Sequence, residues 1–233
     1  MYMRRILAIL ICICMLGIPV KGTEQEKLVV LTFDDGPSGR FTRNLLEGLE
    51  KRNAKATFLL CGYRIEQYPE LTEQIIEEGH EIGLHGYCHK FMQDMRQQDV
   101  AQEIKKSIAL LPEDYPITFL RPPGGLCTQC VQSAAKEQGL SILHWSVDPK
   151  DWAMHNSQAI KKAVITQIRD GDVILLHDMS DSSVNAALAI VDALQAQGFR
   201  FVTASELAKA RDVTLVPGKK YARFEKTTTE DVK

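Results

Sequence analysis

The sequence predicts an α/β fold: a distorted (β/α) barrel of about seven parallel strands in a single domain. Three observations predict it. Apolar, β-branched runs alternate with segments of helical period between residues 28 and 210. Roughly 210 residues follow an apolar leader, the size of one barrel or one compact α/β domain, and no internal repeat or low-complexity linker divides them. Finally, acids, histidines and an arginine collect at the carboxyl ends of the apolar runs, the end at which such a barrel builds its chemistry.

Residues 1–22 stand apart. Arg4 and Arg5 precede an apolar run from Ile6 to Val20, shorter than the roughly 20 residues that span a bilayer, so a cleaved export signal is expected. Val20-Lys21-Gly22 fits a small-x-small cleavage site only loosely, and an uncleaved N-terminal membrane anchor is the alternative. Ile13 is too bulky for Cys14 to mark a lipoprotein. A secreted or cell-surface protein follows from this reading.

The folded domain is expected over residues 23–211. In order, the predicted elements are strand Leu28 to Phe33, helix Thr42 to Arg52, strand Ala56 to Cys61, helix Pro69 to Glu78, strand Glu81 to Leu84, helix Gln97 to Leu110 and strand Thr118 to Leu120. Helix Val131 to Gln138, strand Leu140 to Val147, helix Ser157 to Ile168, strand Val173 to Leu176, helix Val184 to Gln197, strand Arg200 to Val202 and helix Ala204 to Ala210 complete the pattern. Beyond Arg211 the chain turns polar, and residues 212–233 read as a frayed tail.

Residues 1–22 hold Arg4, Arg5 and Lys21 and no acid, so the remainder carries 25 basic and 30 acidic residues, a formal charge of −5. That argues against a nucleic-acid partner, which needs a basic face. Four cysteines remain: Cys61, Cys88, Cys127 and Cys130. In an exported chain an even number suggests disulfides. Cys127-x-x-Cys130 has no second pair to make a zinc ribbon, so a local disulfide or two free thiols is expected.

Leu31-Thr32-Phe33-Asp34-Asp35-Gly36-Pro37 ends a buried strand in two adjacent carboxylates, which are costly to desolvate side by side. A metal would separate their roles, one carboxylate ligating and the other free as a base. His85-Gly86-Tyr87-Cys88-His89 places two imidazoles four apart; if the segment turns helically, both project from one side. With Asp35 they make a His-His-Asp set that leaves an open metal position. Arg121-Pro122-Pro123-Gly124-Gly125 supplies a cation that could hold a carboxylate ionised, and the Gly124 N–H could serve an oxyanion. Asp148-Pro149-Lys150-Asp151-Trp152 adds two acids, either of which could raise the pKa of His177 in Ile174-Leu175-Leu176-His177-Asp178 and make it a general acid. His80 reads as a helix-end residue, His144 as strand packing and His155 as surface; Met92, Met95 and Met154 read as packing or surface.

Together TFDDGP, HGYCH, RPPGG, DPKDW and ILLHD, in this order, resemble the polysaccharide deacetylase family, carbohydrate esterase family four, over about residues 28 to 210. The resemblance implies a divalent-metal hydrolase that removes acetyl groups from N-acetylglucosamine polymers. It makes Asp34 the general base and Asp35, His85 and His89 the ligands of one ion, most simply Zn2+, with Co2+, Mn2+ or Ni2+ as alternatives. It has Arg121 orient Asp34, Asp151 tune His177, and His177 protonate the leaving amine, with the metal and Gly124 N–H stabilising the oxyanion. Trp152 and Leu175 would shape the acetyl pocket, with Asp148 also at the substrate. Two departures stand out: Gly86 where the family usually has Ser or Thr, and Gly124 where an aromatic is common.

The expected partner is an acetylated glycan, peptidoglycan or chitin-like; no protein partner is implied, and a monomer is expected. O-acetyl ester hydrolysis on xylan is the alternative within hydrolases. A non-catalytic wall-binding module would have no need of base, acid and ligands together, and a redox role for Cys127 and Cys130 lacks the rest of a thioredoxin-like pattern.

Overall fold

The structure is a computed structural model that describes residues 26–225. The expected leader at residues 1–22 and the end of the expected tail lie outside the described residues. Eight strands run β1 (Lys27–Asp34), β2 (Ala56–Leu60), β3 (Glu81–Leu84), β4 (Phe119–Leu120), β5 (Ser141–Leu143), β6 (Val173–His177), β7 (Phe199–Phe201) and β8 (Lys220–Tyr221). Eight helices alternate with them: α1 (Arg40–Glu50), α2 (Gly62–Gln67), α3 (Pro69–Glu77), α4 (Gln97–Ile108), α5 (Gln129–Glu137), α6 (Ser157–Ile165), α7 (Asp181–Gln195) and α8 (Ala204–Ala210).

All strand pairs are parallel, in the order β6-β1-β2-β3-β4-β5-β8, and β7 pairs with the start of β1. Past the end of β5, Val147 bridges to Ile174 of β6, so the sheet curls back on itself. This is the distorted barrel the alternating pattern predicts.

Burial on both faces explains why β1 reads as an unbroken apolar run. Val29, Leu31 and Phe33 belong to the core between sheet and helices, whereas Leu28 and Val30 belong to a second core. Thr32 and Asp34 continue the face of Leu28 and Val30 with period two. That face is apolar at the amino end of the strand and polar at the carboxyl end, where the site is built. Helices start on side-chain caps where the sequence supplies them: Thr128, Asn156 and Ser180 accept from first-turn N–H groups, and Thr203 with Glu206 forms a capping box.

Three expectations need correction. The segment after Arg211 does not fray: β8 pairs with β5, Tyr221 and Phe224 are buried, and Arg223 bonds the buried Asp172. Its apolar anchors are isolated among charges, so composition hides them. The strand expected over Leu140 to Val147 stops at Leu143, because the Leu143 and His144 carbonyls turn to accept from Arg121. Finally, α2 occupies a stretch with no predicted helix.

Candidate active site

Four strands, β1, β3, β4 and β6, deliver polar residues to one end of the barrel. Asp34 is the last residue of β1, His177 the last of β6, and Asp34 and His177 stand in register as neighbours. Arg121 follows β4 and His85 follows β3. A cavity of about 710 Å³ opens there, with Asp34, Asp35, His85, His89 and His177 in its lining.

The two adjacent carboxylates are driven apart by their partners. Arg121, fully buried, donates from one guanidinium nitrogen to Asp34 Oδ1 at 2.5 Å and to Thr32 Oγ1 at 2.8 Å. Its remaining nitrogens donate to the Leu143 and His144 carbonyls, both at 2.9 Å, so every side of the cation is satisfied. Thr32 lies two residues before Asp34, on the same strand face; its role escaped the sequence reading although the period-two spacing could have shown it.

Asp35 turns the other way. Its backbone sits at φ 73 and that of His89 at φ 54, left-handed conformations that cost a non-glycine residue about 1–3 kcal/mol and collect at functional sites. His85 Nε2 and His89 Nε2 lie 3.3 and 3.0 Å from Asp35 Oδ1, yet neither is aligned to donate, so this buried oxygen has no hydrogen-bond partner. Burial opposes ionisation of Asp35, but the two rings in their protonated, cationic form outweigh it and hold the carboxyl well below the usual range. His85 Nδ1 lies 2.7 Å from the Arg121 carbonyl, to which it donates, so once the ring is neutral Nε2 carries the lone pair that a cation would meet in place of the proton. An orphaned carboxylate oxygen and two imidazole nitrogens, all within 4.8 Å of one another, fit a divalent cation.

The imidazoles meet without the helical turn the spacing suggested. Residues 85–91 form a loop, and positive φ at Gly86 and His89 folds it so that the two rings lie 5.2 Å apart. Glu103 of α4 accepts from the Tyr87 and Cys88 N–H groups, both at 2.9 Å, and pins the loop from outside. Cys61, Cys88, Cys127 and Cys130 are all free thiols.

His177 pairs with Asp151, of the two acids in its vicinity by sequence. Asp151 Oδ1 lies 2.8 Å from His177 Nδ1 and Oδ2 accepts from the His177 backbone N–H at 2.9 Å, so one carboxylate fixes both ring and main chain. Burial disfavours the imidazolium, but the Asp151 bond and charge, with the charges of Asp34 and Asp35, raise the pKa to about 9. Asp148 instead caps its own turn, accepting from Lys150 N–H at 2.7 Å, and lines the cavity. Leu175 lines the cavity as a buried residue, whereas Trp152 stands at its mouth, 65 % exposed. Gly124 also lines it.

Of the other histidines, His80 is buried behind α3 and accepts from Ala56 N–H. His144 is half-buried and stacked on Trp145, and exposed His155 edges the cavity. Phe91 and Trp145 line the cavity although no expectation fell on them. Asp178, next to His177, is fully buried; burial pushes its carboxyl up to about 6, and it accepts from the Thr42 hydroxyl.

The model of the polysaccharide deacetylase family matches residues 21–143. A peptidoglycan-N-acetylglucosamine deacetylase of Bacillus cereus is 38% identical over 193 residues, spanning 79% of this chain and 90% of that protein. The chain belongs to the polysaccharide deacetylase family. Among solved structures of this family's fold, the peptidoglycan deacetylase of Bacillus subtilis superposes with a TM-score of 0.77 at 32% identity, covering 81% of this chain and 93% of that one. A family 4 acetyl xylan esterase from Clostridium thermocellum in complex with cobalt gives 0.78 at 30% identity, covering 84% and 98%. On one rim the site gathers two carboxylates, three imidazoles and a residue set whose spacing could hold a metal ion.

Proposed function

We propose that this chain is an exported, metal-dependent N-deacetylase acting on N-acetylglucosamine-containing glycan of the peptidoglycan or chitin type. The observation that carries the reading is the separation of Asp34 from Asp35: the first is bonded to Arg121, the second faces two imidazoles, and His177, bonded to Asp151, stands beside Asp34. Asp35, His85 and His89 would hold one divalent ion, and the mixed nitrogen and oxygen set suits zinc better than calcium, with Co2+, Mn2+ or Ni2+ as substitutes. A cation held there supplies Lewis acidity to the acetyl carbonyl and to an attacking water.

The remaining work belongs to the chain. Asp34, aimed by Arg121, takes a proton from the attacking water. The Gly124 N–H is the candidate donor to the developing oxyanion. His177, held charged by Asp151, gives its proton to the departing nitrogen from Nε2, since Nδ1 is engaged. Trp152, Leu175 and Asp148 surround the acetyl-bearing ring. An amine leaves only when protonated, whereas a sugar alkoxide depends on a donor less, so a donor with a raised pKa favours the amide over the ester.

Acetate release from peptidoglycan, N-acetylglucosamine oligomers and acetylated xylan, measured side by side, tests the reading; release from xylan alone would turn the assignment to the O-acetyl esterase. Metal analysis of protein purified without chelator should find one equivalent of ion, lost in the H85A/H89A double variant. Undiminished binding in that variant would remove the ligand assignment.

A further inference from the structure

Among the described residues six large apolar side chains are exposed, and three of them, Phe91, Trp152 and Met179, line the catalytic cavity. Leu126, a fourth, follows the Gly124–Gly125 turn beside it. Singly scattered exposed apolar residues need no explanation, but a cluster on the rim of one cavity marks a surface built for contact.

Phe91 is the member whose placement is most constrained. Its successor Met92 is fully buried and anchors the loop in the core, which throws Phe91 outward at 56 % exposure. The ring does not stand free in solvent: a Cβ at Gly124 would meet Phe91 Cε1 at 2.9 Å, so the ring fills the space a side chain at 124 would occupy. Gly124 holds φ 72, where an L side chain is strained in any case. The turn after β4 thus offers bare backbone, and the loop after β3 lays an aromatic face across it. Trp152, from the loop after β5, presents the other large exposed ring of the cavity mouth.

We propose that Phe91 is a sugar-stacking residue that receives the apolar C–H face of the pyranose ring adjoining the acetylated one. This rests on the deacetylase reading and specifies its substrate: an oligomer long enough to cover Phe91 while its acetyl group is at the cation site. A pyranose has one flat hydrocarbon face and a polar edge, and a planar aromatic ring half in solvent complements the former. Phe91 carries no titratable group, so its contribution is uniform binding, felt in KM rather than kcat.

The test uses the full chain loaded with zinc, N-acetylglucosamine and its oligomers of two to six units, and the deacetylated glucosamine hexamer as a binding probe that needs no turnover. In F91A, kcat/KM on the hexamer should fall about tenfold, a difference of about 1.4 kcal/mol, mostly through KM. The fall on the monomer, which has no adjoining ring, should be much smaller, so that the dependence on chain length flattens. Calorimetric affinity for the glucosamine hexamer should drop by a similar factor, F91W should restore both, and zinc content should stay at one equivalent. An F91A enzyme that loses monomer and hexamer activity equally, or binds the glucosamine hexamer as tightly as wild type, overturns the stacking role. A wild-type chain that releases no acetate but binds the hexamer through Phe91 overturns the deacetylase reading and leaves the platform standing.

Discussion

Asp34 and His177 are the residues on which single atoms decide the outcome. Replacing Asp34 with Asn keeps volume and one acceptor for Arg121 but removes the proton acceptor. Turnover should fall by about 10² to 10⁴ while bound metal stays at one equivalent; wild-type kcat in that variant would move the base elsewhere. His177, raised from 6.5 to about 9, stabilises the fold through its charged form below its ordinary pKa, and that stabilisation fades as pH rises through 9. The proton donor disappears over the same range, so activity should decline on the alkaline side. In D151N burial acts without the opposing carboxylate, and the alkaline limb should move to lower pH, each unit corresponding to about 1.36 kcal/mol of lost interaction. D148N should leave it in place. A cation beside Asp35 opposes the carboxylate field at His177, so the imidazole of stripped protein, followed by NMR, should titrate above the limb of the loaded enzyme. Acids and histidines at strand ends were legible from the chain alone. Which acid meets His177 was not: Asp148 and Asp151 lie three residues apart in one loop, and only the path of that loop decides that Asp148 caps Lys150 while Asp151 reaches β6.

The loop from His85 to Phe91 shows how an element can depart from its family pattern and still bring its two imidazoles together beside Asp35. Gly86 stands where Ser or Thr is usual, at φ 78, and a Cβ there would meet Met92 Cε at 2.9 Å. Met92 has taken the room, and Glu103 supplies the bonds that steady the loop from outside. Installing the usual hydroxyl by G86S should therefore lower stability by about 1 kcal/mol, a loss of about 2–4 °C in melting temperature, without tightening metal binding. A variant that binds zinc more tightly would show that the missing hydroxyl, and not Met92, governs the loop. Strand and helix periodicity carried most elements to within a few residues, because both faces of β1, β2 and β6 are buried and leave long apolar runs. Short α2 and β8 carry too few apolar positions for a period to register, and the fourfold spacing of His85 and His89 suggested a helix where two left-handed residues make a loop instead.

At the scale of the molecule the barrel depends on its last described residues. Phe224 is 1 % exposed and stacks on Tyr221, with ring centroids 5.8 Å apart, against the core that holds Leu28, Val30 and Leu143. F224A should cost about 3–5 kcal/mol and lower the melting temperature by roughly 10 °C. Truncation after Arg211 should be worse, since it also strips β8 from β5; an unchanged melting curve for the truncated chain would return residues 212–225 to the status of a tail.

The pairing of β1 also sets a clock. The strand that carries Asp34 and Asp35 lies near the start of the folded chain, yet its neighbours β6 and β7 are more than a hundred residues further on. Contacts this distant are slow to form, because the entropy of closing the loop precedes any reward from pairing. As the chain emerges from synthesis, Asp34, Asp35, His85 and His89 are made first and wait, without the partner strand that brings His177 to them. On the proposed roles, base and acid come together only when nearly the whole molecule exists, and an unfinished chain would be inert.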